Sequence, residues 1–206
     1  MPPISRRRRP RARAVAWWKS HTDAHEYVLA AAEVPSAQIG SVLRHEKLMY
    51  VVAGKRVVIL KTPNVLDHRA LFLANYWQVV ACVLARYEPA AVTGVDAVRL
   101  HLGEFAVPVK LNAIHAANRS KYSPTLDAEF VLQLLPTGGT KVAMQRAVAM
   151  LTGPGDAQIP VLTPASLVLT LGEPEIQRDV DAVAAWLRHL VLPQPALEAA
   201  VQNDPR

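Results

Sequence analysis

The chain has 206 residues, of which 51% are hydrophobic and 19% are charged, and this composition excludes a protein that is disordered along most of its length. Charged residues and histidines interrupt every hydrophobic run before the roughly 18 residues that a bilayer-crossing helix needs. A single cysteine, Cys82, excludes an internal disulfide and a multi-cysteine zinc site. We therefore expect a cytoplasmic protein with no membrane segment, no metal and no cofactor.

Positive charge is concentrated at the N-terminus. Residues 1–61 carry twelve Lys and Arg side chains against four Asp and Glu, a formal charge of +8, whereas the remainder carries −2. Six of these cations crowd the first thirteen residues together with three prolines: Arg6, Arg7, Arg8, Arg9, Arg11 and Arg13. Self-repulsion and proline predict an extended arm over residues 1–20 that contacts DNA phosphates. An organellar transit peptide or an export signal is the alternative for this segment.

Two helices are predicted after the arm. Residues 22–32 favour a first helix, which residues 33–35 break, and Ser36 caps a second helix that ends near Lys47. One face of the second helix is apolar, with Ile39, Val42 and Leu43. The opposite face carries four hydrogen-bonding side chains, as a recognition helix in a major groove requires: Gln38, Ser41, Arg44 and His45.

A hairpin is predicted next. Residues 48–52 and 57–60 favour two strands around the turn Ala53-Gly54-Lys55-Arg56. Helix, turn, helix and hairpin in this order describe a winged helix, in which Lys55 and Arg56 at the wing tip would contact phosphate. The alternative is a packing module whose polar helix face meets only water or the next domain.

The remaining residues predict a mixed α/β domain. A buried helix is expected over residues 71–85, and a tight turn with a short helix and a glycine stop over residues 92–103. Thr163-Pro164 opens a further helix by capping and a first-turn proline, and Pro174 opens the last helix, to about Leu192. Extended segments are expected near residues 105–114, 129–135 and 159–162.

Four short segments of this second part follow the small N-terminal domain in a recognisable order: Val92-Thr93-Gly94-Val95-Asp96-Ala97, Leu100-His101-Leu102-Gly103, Val107-Pro108-Val109-Lys110-Leu111 and Pro160-Val161-Leu162-Thr163-Pro164-Ala165-Ser166-Leu167. Over residues 22–192 the chain thereby resembles the AbiEi-type antitoxin and transcriptional-regulator family, including related domains found beside Fic proteins. The family's turn reads serine or threonine, glycine, two variable residues, alanine, leucine, and residues 93–98 match it except for Val98.

The resemblance implies an antitoxin that represses its own operon through the winged helix, and a second domain that counters a cognate toxin. The wing departs from the family pattern of arginine, glycine, any residue and tyrosine, because Val57 follows Arg56. Individual wing contacts therefore do not transfer to this chain.

No catalytic constellation is predicted. Asp179 and Asp181 could pass for metal carboxylates, but positions two apart on a helix diverge by about 200°. His21 and His25 do not complete a His-Glu-x-x-His zinc motif, and Ser166 lacks the glycines of a nucleophile elbow. The expected protein is therefore not an enzyme.

These features predict an α+β protein with an N-terminal winged helix followed by a mixed α/β domain. The expected boundaries are a disordered basic arm over residues 1–20, a DNA-binding domain over 21–63, an antitoxin-like domain over 64–192 and a tail over 193–206. The expected partners are double-stranded DNA of its own promoter, a cognate toxin and a second copy on one operator. The alternative function is a protein-interaction module that binds an effector or toxin, with its basic arm contacting RNA or another polyanion.

Overall fold

The computed structural model of this chain describes residues 8–62, 67–87, 89–116, 123–137 and 141–171, together with 181, 183 and 184. Helices and strands are both abundant, which confirms the α+β class. The N-terminal part has these elements in chain order: α1 (Arg8–Asp23), β1 (Val28–Ala30), a 3₁₀ turn (Ala31–Glu33), α2 (Ala37–His45), β2 (Met49–Val52) and β3 (Val57–Leu60). Its three strands form an antiparallel sheet in the order β1-β3-β2.

The first helix lies earlier in the chain than the sequence predicts. The extended arm expected over residues 1–20 is wrong for residues 8–20, since these form most of α1, and residues 1–7 lie outside the described residues. The physical reason is burial: Ala14 has no exposed surface, and Trp17 and Trp18 pack with it against the core beneath α2. The Trp18 indole N–H also donates to the Lys61 carbonyl, at 3.2 Å. These contacts offset the mutual repulsion of the arginines.

The helix expected over residues 22–32 is also wrong. α1 ends at Asp23 because His25 adopts a left-handed conformation, with φ of +60°. The Glu26 N–H then donates to the His21 carbonyl at 2.9 Å, which is the closing hydrogen bond of a Schellman motif. Beyond that point the chain is extended, and Leu29 of β1 is buried opposite Val58.

The second helix and the hairpin follow the sequence prediction closely. Ser36 is the N-cap of α2, and its hydroxyl accepts a hydrogen bond from the Ile39 N–H at 3.2 Å. α2 buries Gly40 and Leu43 and ends at His45, two residues before the predicted end. β2 and β3 fall within one residue of the predicted strands.

The small sheet is covered on both faces, and this explains the unbroken apolar sequence of its central strand, β3. Successive side chains of a strand point to opposite faces. Val58 and Leu60 belong to the core under α1 and α2, whereas Val57 and Ile59 belong to a core shared with the second part of the chain. All four β3 residues are buried.

The second part contains six described strands in one mixed sheet, ordered β6-β7-β5-β4-β9-β8. In chain order its elements are α3 (His68–Ala74), α4 (Tyr76–Ala85), β4 (Ala90–Val92), α5 (Gly94–His101), β5 (Lys110–His115), β6 (Thr125–Asp127), β7 (Phe130–Pro136), α6 (Lys141–Arg146), β8 (Val148–Thr152), a 3₁₀ turn (Pro154–Asp156), β9 (Gln158–Leu162) and α7 (Pro164–Thr170). α4 packs against both β9 of this sheet and β1 of the small sheet.

Local signals in the second part are confirmed where they mark turns and caps. Gly94 opens α5 with φ of +68°, and Gly103 follows α5 with φ of +79°, both left-handed conformations that favour glycine. Thr163 caps α7 as predicted. The single helix expected over residues 71–85 is divided at Asn75, whose side chain donates to the Leu71 carbonyl at 2.8 Å.

The extended segments are only partly confirmed. Strands lie at Lys110–His115, Phe130–Pro136 and Gln158–Leu162, whereas β4, β6 and β8 were not predicted. The helix expected over residues 174–192 falls almost entirely outside the described residues. Across the part of the chain that is described, no helix combines the length and the apolar character that a bilayer span needs.

His115 occupies an unusual position at the end of β5. Its side chain is 3% exposed, and neither ring nitrogen has a hydrogen-bond partner within the described structure. Burial therefore lowers the pKa of its imidazole, because a charged ring would lose its hydration.

We expect acid to destabilise the fold through His115. Its pKa is lower in the folded than in the unfolded chain, so the unfolded chain binds the extra proton as pH falls below about 6.5. The free energy of unfolding, measured by urea denaturation, should therefore decrease from about pH 7 to 5. His115→Leu should weaken that decrease, and the exposed-site control His45→Gln should not. Equal pH dependence in His115→Leu and wild type would contradict this role.

Candidate nucleic-acid interface

α2 presents one continuous polar face to solvent. Gln38, Ser41, Arg44 and His45 are all exposed, while Gly40 and Leu43 face the core. At 3.6 residues per turn the four exposed side chains occupy about a third of the helix circumference. The structure thus brings together the four predicted helix residues on one surface, with Arg44 at its edge, where its Nε–H donates to the Gly40 carbonyl at 3.3 Å.

A cleft of about 540 Å³ separates α2 from the β2–β3 hairpin. Three exposed cations line it: Arg44, Lys47 and Lys55. No acidic side chain belongs to its described lining, and the buried side chains of Met49 and Val58 lie at its base. A concave surface with this charge attracts anions, because neighbouring cations of one sign add their potentials. We call the cleft lined by Arg44, Lys47 and Lys55 the basic cleft.

Lys47 lines the basic cleft in a strained backbone conformation. It is the residue after the C-cap of α2, with φ of +54°, and its N–H donates to the Arg44 carbonyl at 3.0 Å. The next N–H, of Leu48, donates to the Leu43 carbonyl at 2.8 Å, which completes a Schellman motif. Glycine is the usual residue at this position, and any other side chain costs about 1–2 kcal/mol.

Lys55 is strained in the same way on the other side of the basic cleft. It lies in the hairpin turn with φ of +66°, directly after Gly54, whose φ is +63°. Six non-glycine residues among those described have positive φ, and Lys47 and Lys55 are the two of them that line this cleft. Unfavourable backbone conformations of this kind concentrate at functional sites. Both of these lysines lie where the chain turns, Lys47 after α2 and Lys55 in the hairpin, and both line this cleft.

Arg56 does not line the basic cleft beside Lys55. It is half-buried, its guanidinium donates to the Tyr87 hydroxyl, and its central carbon lies 5.9 Å from the centre of the Tyr87 ring. The Ala53 N–H donates to the Leu126 carbonyl of β6 at 2.7 Å. The tip of the hairpin therefore packs against the second part of the chain, and this position does not favour the predicted phosphate contact by Arg56.

The arginines of α1 add a second basic surface. Arg9, Arg11 and Arg13 are exposed, and Arg11 pairs with Glu46 at the end of α2 with an Nε to Oε1 distance of 3.0 Å. The side chain of Arg8 and all of Arg6 and Arg7 lie outside the described residues. The first turn of α1 has no acidic residue, so its cations face the positive end of the helix dipole. A bound polyanion would relieve this unfavourable arrangement.

Sequence reasoning missed Lys47 as a site residue. It placed Lys47 inside α2, where its side chain would have been one more surface cation. The available signal was the break in the apolar pattern between His45 and the strand beginning at Met49.

The geometry gives little support to the metal-binding and catalytic alternatives. The His21 ring contacts the Glu26 carboxylate, with Nδ1 to Oε2 at 2.6 Å, whereas the His25 ring contacts the Tyr27 hydroxyl at 3.1 Å. The two histidines thus have different partners. The described residues include no group of three or more His, Cys, Asp or Glu side chains placed to hold a metal. Burial raises the pKa of the Cys82 thiol, and Asp179 lies outside the described residues.

Comparison of the chain with models of known protein families gives no match, and comparison with curated proteins gives none either. Function is therefore inferred from the basic cleft, the polar face of α2 and the sequence resemblance.

We expect Lys47→Gly to stabilise the fold. Glycine removes a steric cost of about 1–2 kcal/mol, and its greater chain entropy in the unfolded state offsets about 0.4–1 kcal/mol of that gain. The free energy of unfolding, measured in urea, should rise by up to about 1.6 kcal/mol. The control is Lys47→Ala, which removes the same charge and keeps the strain. If both variants have the same stability, the strain assigned to Lys47 is wrong.

Proposed function

We propose that this chain is a DNA-binding regulator that holds a duplex with α1, α2 and the basic cleft. The observation that carries the proposal is the pair Lys47 and Lys55, two cations in costly backbone conformations that line one cleft with no described acidic neighbour in it. The phosphates of a nucleic acid are a dense array of anions, and neutralising them releases counterions. A bound polyanion would therefore interact favourably with the charges of both lysines at once.

The polar face of α2 supports contact with bases. A major groove about 12 Å wide admits one helix, and glutamine, serine and arginine side chains can all hydrogen-bond to base edges there. Gln38, Ser41 and His45 lie on the exposed side of α2, and Arg44 lies between that side and the basic cleft. In this arrangement α2 would read bases while the lysines hold the phosphate backbone.

The order of elements supports a winged helix that differs from the one predicted. Helix, strand, short turn, helix and hairpin, with the sheet order β1-β3-β2, is the arrangement we expect of such a domain. The helix that precedes the recognition helix is α1 rather than residues 22–32, so Arg9 and Arg13, already expected to contact DNA from the arm, lie on a helix of the proposed surface. Because Arg56 contacts Tyr87, we assign the phosphate contact at the hairpin to Lys55 alone.

The narrower role is a cytoplasmic antitoxin-like repressor of a toxin-antitoxin or phage-defence operon. It rests on the resemblance to the AbiEi-type family. What supports it in the fold is the strand-to-helix turn at Thr93-Gly94, where β4 ends and α5 begins with a left-handed glycine. A cognate toxin as partner of the second part is proposed on the same resemblance.

The lysines should account for part of the salt dependence of binding. For the full chain on a random duplex, Lys47→Gly and Lys55→Gly should each weaken affinity and reduce the slope of log affinity against log salt by about 1. Fluorescence anisotropy across a salt series measures both quantities. Lys141→Ala, an exposed cation of α6 in the second part, is the control of equal charge change. Unchanged slopes in both glycine variants would refute the basic cleft as a phosphate site.

Arg44 should contribute to sequence preference. Arg44→Ala should lose about 1–3 kcal/mol of discrimination between the chain's own promoter and a random duplex of equal length. Competition binding with the two duplexes measures this difference. Equal loss on both sequences would contradict base contact by Arg44. Equal wild-type affinity for duplex DNA and for RNA would instead favour the alternative of a protein-interaction module whose basic arm contacts RNA or another polyanion.

A further inference from the structure

β8 forms one edge of the six-stranded sheet and is poorly protected. Its sequence is Val-Ala-Met-Leu-Thr, with no charge and no proline, and it pairs with β9 alone among the described strands. Met150, at its centre, is 56% exposed. Proteins normally protect an edge strand with charge, proline, a bulge or a covering segment, because its unpaired backbone groups can bind another strand.

The opposite edge of the same sheet is protected in several of these ways. β6 has only three residues, its pairing with β7 is irregular between Thr125 and Asp127, and Asp127 carries a charge. The Ala53 N–H also covers it by donating to the Leu126 carbonyl. The described structure therefore closes one edge of the sheet and leaves the β8 edge open.

The hydrogen bonds around β8 show which of its backbone groups face outward. The Thr163 N–H donates to the Ala147 carbonyl at 2.7 Å, and the Gly153 N–H donates to the Ala157 carbonyl at 2.8 Å. Both bonds continue the β8–β9 register, in which Met150 lies opposite Pro160. Since hydrogen-bonded and non-bonded pairs alternate in an antiparallel ladder, odd-numbered residues bond to β9. The N–H and C=O groups of Val148, Met150 and Thr152 then point away from the sheet.

We propose that β8 pairs antiparallel with β8 of a second copy of this chain, about a two-fold axis at Met150. In this register Met150 lies opposite its own copy and Val148 lies opposite Thr152. All three outward residues of each strand then form backbone hydrogen bonds. A cleft of about 310 Å³ beside the strand, lined mainly by apolar residues that include Leu84, Met150 and Pro160, offers apolar surface to the second copy.

Charge at the ends of β8 favours the same antiparallel pairing. It brings the end of β8 that follows the exposed Arg146 in one copy beside the end that precedes the exposed Asp156 in the other. The two-fold axis makes this approach reciprocal, so that two Arg146–Asp156 pairs flank an uncharged centre. Such an interface is self-complementary, as a two-fold dimer requires. Its short strand places it in the weak, reversible class of interfaces.

Sedimentation equilibrium of the full chain without DNA tests the pairing. Wild type should show a reversible monomer–dimer equilibrium. Met150→Lys should raise the dimer dissociation constant at least about tenfold, because it places two like charges opposite each other on the axis. Leu169→Lys, the same chemical change at an 82% exposed residue of α7, should leave it unchanged. A wild-type monomer at all concentrations, or a dimer that Met150→Lys does not weaken, would overturn the proposal.

Charge reversal tests the antiparallel arrangement of the two strands. Arg146→Glu and Asp156→Lys should each weaken the dimer, and the double variant should recover most of the wild-type association. Double-variant association no better than that of the single variants would overturn the antiparallel pairing. Circular dichroism confirms that each variant folds. Because DNA is absent throughout, failure of this pairing and failure of the proposed DNA binding are separate results.

Discussion

The burial of β3 on both faces is the constraint on which the rest of the structure depends. Its four residues alternate between two cores, one under α1 and α2 and one shared with α4. A central strand enclosed in this way fixes the hairpin relative to α2, and the space between them is the basic cleft. The same strand fixes the small sheet against the second part of the chain. The cation-bearing surface and the larger sheet are therefore mechanically connected.

Because of this connection, the two sides of the hairpin tip have different surroundings. On one side Lys55 lines the basic cleft, and on the other Arg56 is drawn to Tyr87 and Ala53 to Leu126. A projecting wing would expose both cations to phosphate. Here the second part of the chain occupies one side of the tip, so any partner that displaces it would also release Arg56.

The positions of the positive charges in the N-terminal part lower the stability of the fold. Arginines crowd the positive end of the α1 dipole, and lysines occupy two left-handed positions where glycine would be less strained. Each arrangement is unfavourable in the isolated protein, and under the proposed function a bound anion would relieve or use it. The hydrophobic contacts of Ala14, Leu43 and Val58 offset these costs. The apolar core thus permits a surface that carries more positive charge than local preferences favour.

Local sequence by itself determined the elements whose signals are contained within a few residues. Ser36 as a cap, the β2–β3 hairpin, the Thr93-Gly94 turn and the Thr163-Pro164 helix start were all predictable, as was the exposed face of α2. Tertiary structure decided the rest, because strand pairing and helix burial join residues that are distant along the chain. Residues 28–30 became a strand through β3, the arginine-rich segment became a helix through the core beneath it, and Lys47 and Lys55 became one site only when α2 and the hairpin were packed together.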